Sequence, residues 1–510
     1  MQYPLLWLMA GVHMSGHKTN RASRYISDLN RLGIQQGQIR SLFSKFFPFF
    51  VALFFLVLVG AYGGLSLQVA NENLIMLVAA SIIGGYMALN IGANDVANNM
   101  GPAVGGRVLT VLSAVLIAAI CESAGAILAG GDVVKTVAKG IIQPGEGLNI
   151  TDFRNLMLCA LFAAALWVNL ATYLNAPVST THSIVGGVMG AGIAAAGFGL
   201  VNWTTMAKIA ASWIISPVFG GCVAAILLFF IQIKIYTDKD RRAAARKWVP
   251  VLIGLMAGAF SAYMAMKGLK KVWKPSVVEI IIYSMSIATT CWLASIPFVK
   301  KRSIKISDRK KDINSLFNFP LIIGVALLSF AHGANDVANA IGPLAAIVST
   351  FSESTVAAKV AIPIWVLIVG AIGLALGLLL FGPKLIHTVG EKITKLNAPR
   401  AYCVALASAI TVLIATTLGL PVSSTHIAIG AIFGVGFLRE YIENPDKRRL
   451  RPGHKINDTS NEAFENINAR LARKLVRRRF VLSIAAAWVI TVPASAFLAA
   501  ALFFALSAAI

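Results

Sequence analysis

Long apolar runs without a charged side chain divide the sequence into segments of membrane-spanning length. These runs cover residues 46–71, 155–207, 209–233, 248–266, 280–299, 360–383, 401–438 and 480–510. A helix needs about 20 apolar residues to cross the hydrocarbon core, so the two longest runs must each hold two crossings. Because the runs do not alternate apolar and polar positions, they favour helices over a barrel. The pattern predicts an all-α polytopic membrane protein with about ten to twelve transmembrane helices.

The composition supports this prediction and excludes an ordinary soluble protein. Apolar residues make up 57% of the 510 positions and charged residues only 13%, about half of the usual charged share. The formal charge of +24 is concentrated in connectors at 18–45, 234–247, 300–311 and 439–479. Short basic connectors are typical of cytoplasmic loops facing anionic lipid. Since no aromatic residues alternate with the basic ones, we expect no nucleic-acid binding, and we predict a multi-pass protein of the plasma (inner) membrane.

Two motifs occur twice and in the same order. Residues 92–102 read GANDVANNMGP and residues 333–343 read GANDVANAIGP, with nine of eleven positions identical. Each copy is followed by a second motif, PVSTTH at 177–182 and PVSSTH at 421–426. The chain is therefore a duplication, and in membrane proteins with internal repeats the substrate site typically lies between the repeats, near the middle of the bilayer.

The duplication predicts a domain organisation with additions to a shared core. We expect a basic cytoplasmic extension at 1–45 and an extra span at 46–72. Repeat 1 is predicted at 73–233 and repeat 2 at 313–510, the latter with a basic insert at 439–479. The linker at 234–312 would add two further spans and basic loops.

The first motif carries the chemistry of a cation site. An ionised side chain near the centre of a span costs about 3 kcal/mol, so Asp95 and Asp336 must face a partner, a cation or water. In a helix, each aspartate shares a face with the asparagine three residues later. Gly101–Pro102 and Gly342–Pro343 are predicted to interrupt the two helices and free backbone carbonyls. Such clusters of oxygen atoms suit a hard cation such as Na⁺.

The second motif has the character of an anion site. A proline in the first helical position followed by hydroxyl residues predicts a helix start, whose backbone N–H groups attract anions. Neither motif contains Lys or Arg, so an oxyanion would be repelled by the nearby aspartates. Two unit charges about 4 Å apart interact by about 4 kcal/mol at an effective dielectric constant of about 20. Anion binding therefore requires that cations or protons neutralise the aspartates, which predicts cotransport.

The duplicated GANDVAN and PVS[ST]TH motifs resemble the inorganic phosphate transporter (PiT) family over about 73–233 and 313–510. The resemblance implies two repeats of inverted topology with broken or re-entrant helices at mid-bilayer, and import of inorganic phosphate with Na⁺ or H⁺. The cation-coupling residues implied are Asn94, Asp95, Glu122, Asn335 and Asp336, of which Asp95 and Asp336 would bind Na⁺. The substrate-binding residues implied are Asn98, Ser179, Thr180, Thr181, Asn339, Ser423, Ser424 and Thr425. His182 and His426 are expected to orient neighbours by hydrogen bonds.

Several alternatives stay open at this stage. The anion could be sulfate instead of phosphate, and dimerisation is not decided by the sequence. An intramembrane aspartyl protease would use two aspartates, but its unlike acid and base roles do not suit two near-identical motifs. A passive anion channel would differ by carrying only downhill flux. We expect a symporter working by alternating access, without enzymatic activity and without a cofactor other than the coupling ion.

Overall fold

The computed structural model describes residues 46–66, 71–143, 148–174, 178–268, 273–352, 362–392, 396–443 and 478–509. The described residues up to 54 and those from 55 onward belong to two different units, and the packing described below lies within the second. The predicted extension at 1–45 and most of the predicted insert at 439–479 lie outside the described residues. The predicted domain boundaries stay predictions.

Nearly all of the described residues are helical. They contain no β-strand, apart from one isolated bridge between Ile142 and Val201. The helices are α1 (Phe46–Ser66), α2 (Asn71–Gly105), α3 (Val111–Ala129), α4 (Gly131–Lys135), α5 (Ile150–Tyr173), α6 (Thr180–Ala196), α7 (Trp203–Ile231), α8 (Arg241–Tyr263), α9 (Val277–Ile304), α10 (Lys310–Ile313), α11 (Asn318–Ser352), α12 (Ile364–Lys392), α13 (Ala398–Thr417), α14 (Ser424–Glu443) and α15 (Arg478–Ala509).

Eleven helical segments of the described chain are long and apolar enough to cross a membrane. This number confirms the prediction of ten to twelve spans in an all-α protein. Helices α6 and α14, which begin in the second motif, are not among the eleven. Their first residues are buried in the protein, so these two helices start in its interior, as predicted for discontinuous helices.

The first glycine of each GANDVAN copy marks a close approach of two backbones. A Cβ atom at Gly92 would lie 2.0 Å from the carbonyl oxygen of Leu374, and one at Gly333 would lie 2.0 Å from the carbonyl oxygen of Glu122. Small residues let membrane helices approach at backbone distance. Both contacts join one half of the chain to the other, since α2 packs on α12 and α11 packs on α3.

The helices that begin in the second motif also pack against helices of the other half. Helix α6 packs on α15, and α14 packs on α7. Each half therefore completes the packing of the other, as expected if two repeats face one another. The inverted topology of the repeats stays a prediction.

Two local predictions about prolines are wrong. Helices α2 and α11 run through Pro102 and Pro343 and are not interrupted. Because proline has no N–H, each still leaves one carbonyl, that of Asn98 or Asn339, without its usual helical donor. Helix α14 begins at Ser424, three residues after Pro421, so this proline precedes the helix and does not occupy its first position. Pro177 lies outside the described residues.

We predict that alanine at Gly92 or Gly333 destabilises the protein by about 3 kcal/mol, because the added methyl group would force two backbones apart. Thermal unfolding in detergent measures the effect. The control is Gly199→Ala, since no atom lies within 4 Å of a Cβ there. Equal unfolding temperatures for all three variants would contradict the packing argument.

Candidate functional site

The two aspartates of the duplicated motif meet in the interior of the protein. A carboxylate oxygen of Asp95, one of Asp336 and a ring nitrogen of His332 all lie within 4.8 Å of one another. Both aspartates are only 1% exposed. The structure therefore brings the two motif copies together, and the functional roles of their residues stay proposals.

Hydroxyl groups at the starts of α6 and α14 donate to these carboxylates. Asp95 accepts from Thr180 at 3.0 Å, in its own half, and from Thr425 at 3.0 Å, in the other half. Asp336 accepts from Ser424 at 2.8 Å. The N-termini of α6 and α14 thus lie next to the aspartates, and helix N-termini attract negative charge.

Asn98 and Asn339 make matching contacts across the two halves. The Asn98 side-chain amide donates to the Thr425 hydroxyl at 2.8 Å, and the Asn339 amide donates to the Thr181 hydroxyl at 3.0 Å. The Thr181 hydroxyl in turn donates to the carbonyl of Val422 at 2.9 Å. A further bond of 3.3 Å from the Asn339 amide to the Thr180 hydroxyl joins Asn98, Thr180, Thr181, Asn339 and Thr425 with Asp95 in one hydrogen-bonded network. Ser424 binds Asp336 separately.

Ser179 and Ser423 lie just outside this network and cap the two helices. Their hydroxyl oxygens accept from the backbone N–H groups of His182 at 3.1 Å and His426 at 3.3 Å, as N-cap serines do. The rings of the two histidines pack against each other, with centroids 4.6 Å apart.

Asn94 and Asn335 use their amide groups in equivalent ways but differ in their oxygens. The Asn94 amide donates to Thr172 at 2.8 Å, and the Asn335 amide donates to Thr416 at 3.0 Å. The Asn335 oxygen accepts from the backbone N–H of Val422 at 3.2 Å. The buried Asn94 oxygen accepts no hydrogen bond from the described residues.

Buried acceptors without donors collect at this site. Within the described part of the chain, Asn94 Oδ1, Asp336 Oδ1 and Asn339 Oδ1 receive no hydrogen bond. Unsatisfied buried acceptors are rare in folded proteins and call for an explanation. Carboxylate and amide oxygens are the ligands that hard cations prefer. The oxygen atoms of this site are therefore suited to binding a cation.

A third carboxylate and an imidazole extend the site on one side. His332 is completely buried, with one ring nitrogen 3.0 Å from Asp336 and the other 3.2 Å from Glu122. Glu122 also accepts from the side-chain amide of Asn99 at 2.8 Å. Glu122 is among the site residues predicted from the sequence, whereas His332 and Asn99 are not.

The signal for these missed residues is their departure from the repeat. His332 stands where the first copy has Ile91, and Asn99 stands where the second copy has Ala340. Glu122 lies against Gly333 as Leu374 lies against Gly92. Ile91, Ala340 and Leu374 are all fully buried in one apolar cluster. One side of the site therefore carries a polar triad, Asn99–Glu122–His332, where the other side is apolar.

The chain is similar to a known protein family, to named relatives and to one solved structure. The sequence pattern of the Phosphate transporter family matches residues 91–499. Two relatives carry the name "Putative phosphate permease". The one from Helicobacter pylori strain J99 is 43% identical, covering 89% of this chain and 95% of its own. The one from Thermococcus kodakarensis is 38% identical, covering 71% and 89%. A solved structure titled "The sodium-dependent phosphate transporter" has a TM-score of 0.75 and 35% identity, covering 86% of this chain and 100% of its own.

The eleven apolar helices of the described residues, the buried cluster of acids and hydroxyls and these relatives define an integral, multi-pass membrane protein of the transporter class. The chain belongs to the phosphate transporter family. The resemblance noted from the two motifs is thereby confirmed.

We predict that His332→Ile alone destabilises the protein by about 3 kcal/mol, because it leaves the Glu122 carboxylate buried without its imidazole neighbour. The triple variant Asn99→Ala, Glu122→Leu, His332→Ile gives this side the same apolar residues that the other side has at Ala340, Leu374 and Ile91. We expect it to recover most of the lost stability. Thermal unfolding in detergent, without phosphate, compares the two. A triple variant as unstable as the single one would show that the triad is not an independent unit.

Proposed function

We propose that this protein is a secondary active transporter that imports inorganic phosphate together with Na⁺ or H⁺. The observation that carries the proposal is the meeting of Asp95 and Asp336, one from each half, beneath hydroxyls from two helix N-termini. Family membership and the name of the solved relative support phosphate as substrate and sodium as a coupling ion.

The electrostatics of the site favour coupling over simple anion binding. Asp95, Asp336 and Glu122 are three buried carboxylates, and His332 is the one basic side chain among the described residues that contacts them. A phosphate ion would add at least one further negative charge. At about 4 kcal/mol for each close pair of like charges, the anion binds only when cations occupy the carboxylates. Each ligand then raises the affinity of the site for the other.

The hydroxyl groups give this coupling a physical route. A threonine or serine hydroxyl has a single proton to donate, and Thr180, Ser424 and Thr425 donate theirs to the aspartates. When a cation binds the carboxylate oxygens, the hydroxyl groups no longer donate their hydrogen bonds to the aspartates. They then donate to an oxyanion instead. Asn94, Asp95, Asp336 and Glu122 are proposed to serve the cation, and Asn98, Asn339 and the hydroxyls of both helix starts are proposed to serve phosphate.

The remaining parts of the proposal follow from this assignment. Transport proceeds by alternating access around the central site, without a covalent step and without a cofactor other than the coupling ion. We propose the plasma (inner) membrane as the protein's location. Sulfate is the competing substrate, since it is a tetrahedral oxyanion of similar size.

Uptake of labelled phosphate into proteoliposomes tests substrate and coupling together. Gradients of Na⁺ and of pH are imposed separately, and unlabelled sulfate is added as competitor. Accumulation above equilibrium with one gradient supports symport and identifies the ion. Uptake that only runs downhill would contradict the proposal, and displacement of phosphate by equimolar sulfate would reassign the substrate.

We predict that Asp95→Asn or Asp336→Asn lowers cation-driven uptake by about 100-fold or more, because each change removes a unit charge that holds the cation at close range. The control is Asp238→Asn, which changes an exposed loop carboxylate. Uptake that persists undiminished when both aspartates are replaced together would overturn the mechanism.

A further inference from the structure

The four carbonyl groups of the segment 419–422, which leads into α14, are held by side chains, while the N–H groups of Gly419 and Leu420 donate to the backbone of α13. Each of its four consecutive carbonyl oxygens accepts a hydrogen bond from a different element of the fold. The donors are Thr136 to Gly419 at 2.7 Å, Asn335 to Leu420 at 3.1 Å, Trp213 to Pro421 at 3.1 Å and Thr181 to Val422 at 2.9 Å. We call these four donors the brace.

The brace meets a requirement that the local sequence creates. Gly419 has a φ of +69° and Pro421 has no N–H, so this segment cannot extend either neighbouring helix. Buried carbonyl groups nevertheless need donors. Because each donor is fixed on its own helix or turn, the four bonds set the position of the segment along its whole length.

The position of the segment sets the position of the proposed phosphate site. Ser424 and Thr425 follow the segment directly, and their hydroxyls reach Asp336 at 2.8 Å and Asp95 at 3.0 Å. A rise or rotation of the segment would carry both hydroxyls away from both aspartates. Binding to groups that are already in place avoids the cost of ordering them.

Trp213 connects the two helix starts. Its indole N–H donates to Pro421, just before α14, and its ring packs edge-on against His182, in the first turn of α6, with centroids 3.8 Å apart. We propose that Trp213 is a positioning residue of the transporter, which holds the starts of α6 and α14 in register so that their hydroxyls face the aspartates together. This inference rests on the proposed function.

Asn335 belongs to the brace as well. Its amide group donates to Thr416 and Leu420, and its oxygen accepts from the N–H of Val422. Both polar atoms of this side chain are therefore committed to the segment, whereas the oxygen of Asn94 in the other half receives no donor from the described residues. Asn335 is thus assigned to positioning, and Asn94 remains the cation ligand of the pair.

The test replaces Trp213 by phenylalanine, which removes the N–H and keeps an aromatic ring. The matched control is Trp203→Phe on the same helix. The Trp203 indole also donates to a backbone carbonyl at 3.1 Å, that of Phe198, but the side chain is 51% exposed and makes no hydrogen bond to the segment 419–422.

We predict that Trp213→Phe raises the half-saturating phosphate concentration by about 3- to 10-fold in proteoliposomes, the effect of one hydrogen bond that preorganises a site. The maximal rate per folded transporter should change less than about twofold. Trp203→Phe should leave both quantities unchanged. A merely structural role would lower the amount of folded protein with an unchanged half-saturation, and that result would overturn the inference.

Hydrogen exchange measured by mass spectrometry supplies a readout that does not depend on transport. Peptides covering 418–427 should exchange about 3- to 10-fold faster in Trp213→Phe than in the wild type or in Trp203→Phe. Unchanged exchange overturns the brace, whatever the transport result. Absence of phosphate uptake by the wild type would overturn the proposed function and the assignment to a phosphate site. Hydrogen exchange would still show whether the brace holds the segment 419–422 in place.

If Trp213→Phe yields no folded protein, Thr136→Val is measured in its place. This change removes the donor to Gly419 with little change in volume, and Thr136 lies in the turn after α4, outside the site. Its expected effects have the same direction in half-saturation and in exchange. An unchanged phosphate half-saturation in Thr136→Val would then overturn the inference.

Discussion

Three carboxylates buried inside a membrane protein impose the central constraint on this structure, because each must be given partners that water would otherwise supply. Asp95 and Asp336 obtain theirs from the hydroxyls of Thr180, Ser424 and Thr425. Those hydroxyls can reach the aspartates only if two helices begin in the interior. The interior starts of α6 and α14, the segment before α14 and the side chains that hold that segment all follow from this requirement.

The duplicated motifs allowed much of the site to be predicted from the sequence. The repeats predicted a substrate site between the two halves, and the structure brings Asp95 of one half and Asp336 of the other together. The span count was accessible for a related reason, since the bilayer fixes the length of a helix. These features depend on composition and repetition, which a single sequence contains.

Other features depended on contacts between distant parts of the chain. His332 was missed because its partner Glu122 lies in the other half, and nothing local marks the pair except the loss of repeat identity. The prolines at 102 and 343 were expected to break their helices, but both helices continue through them. Asn335 was grouped with the cation ligands because its sequence context equals that of Asn94, whereas its oxygen is taken by Val422.

The close backbone contacts at Gly92 and Gly333 bear on how such a protein can move. They fasten α2 to α12 and α11 to α3, and α6 and α14 lie against α15 and α7 in the same crossed manner. Helices joined at this distance travel together, since sliding one past the other would drive backbone into backbone. The rigid bodies of any conformational cycle are therefore mixed assemblies drawn from both halves of the chain. In such a cycle, the units that move would differ from the units that were copied by duplication.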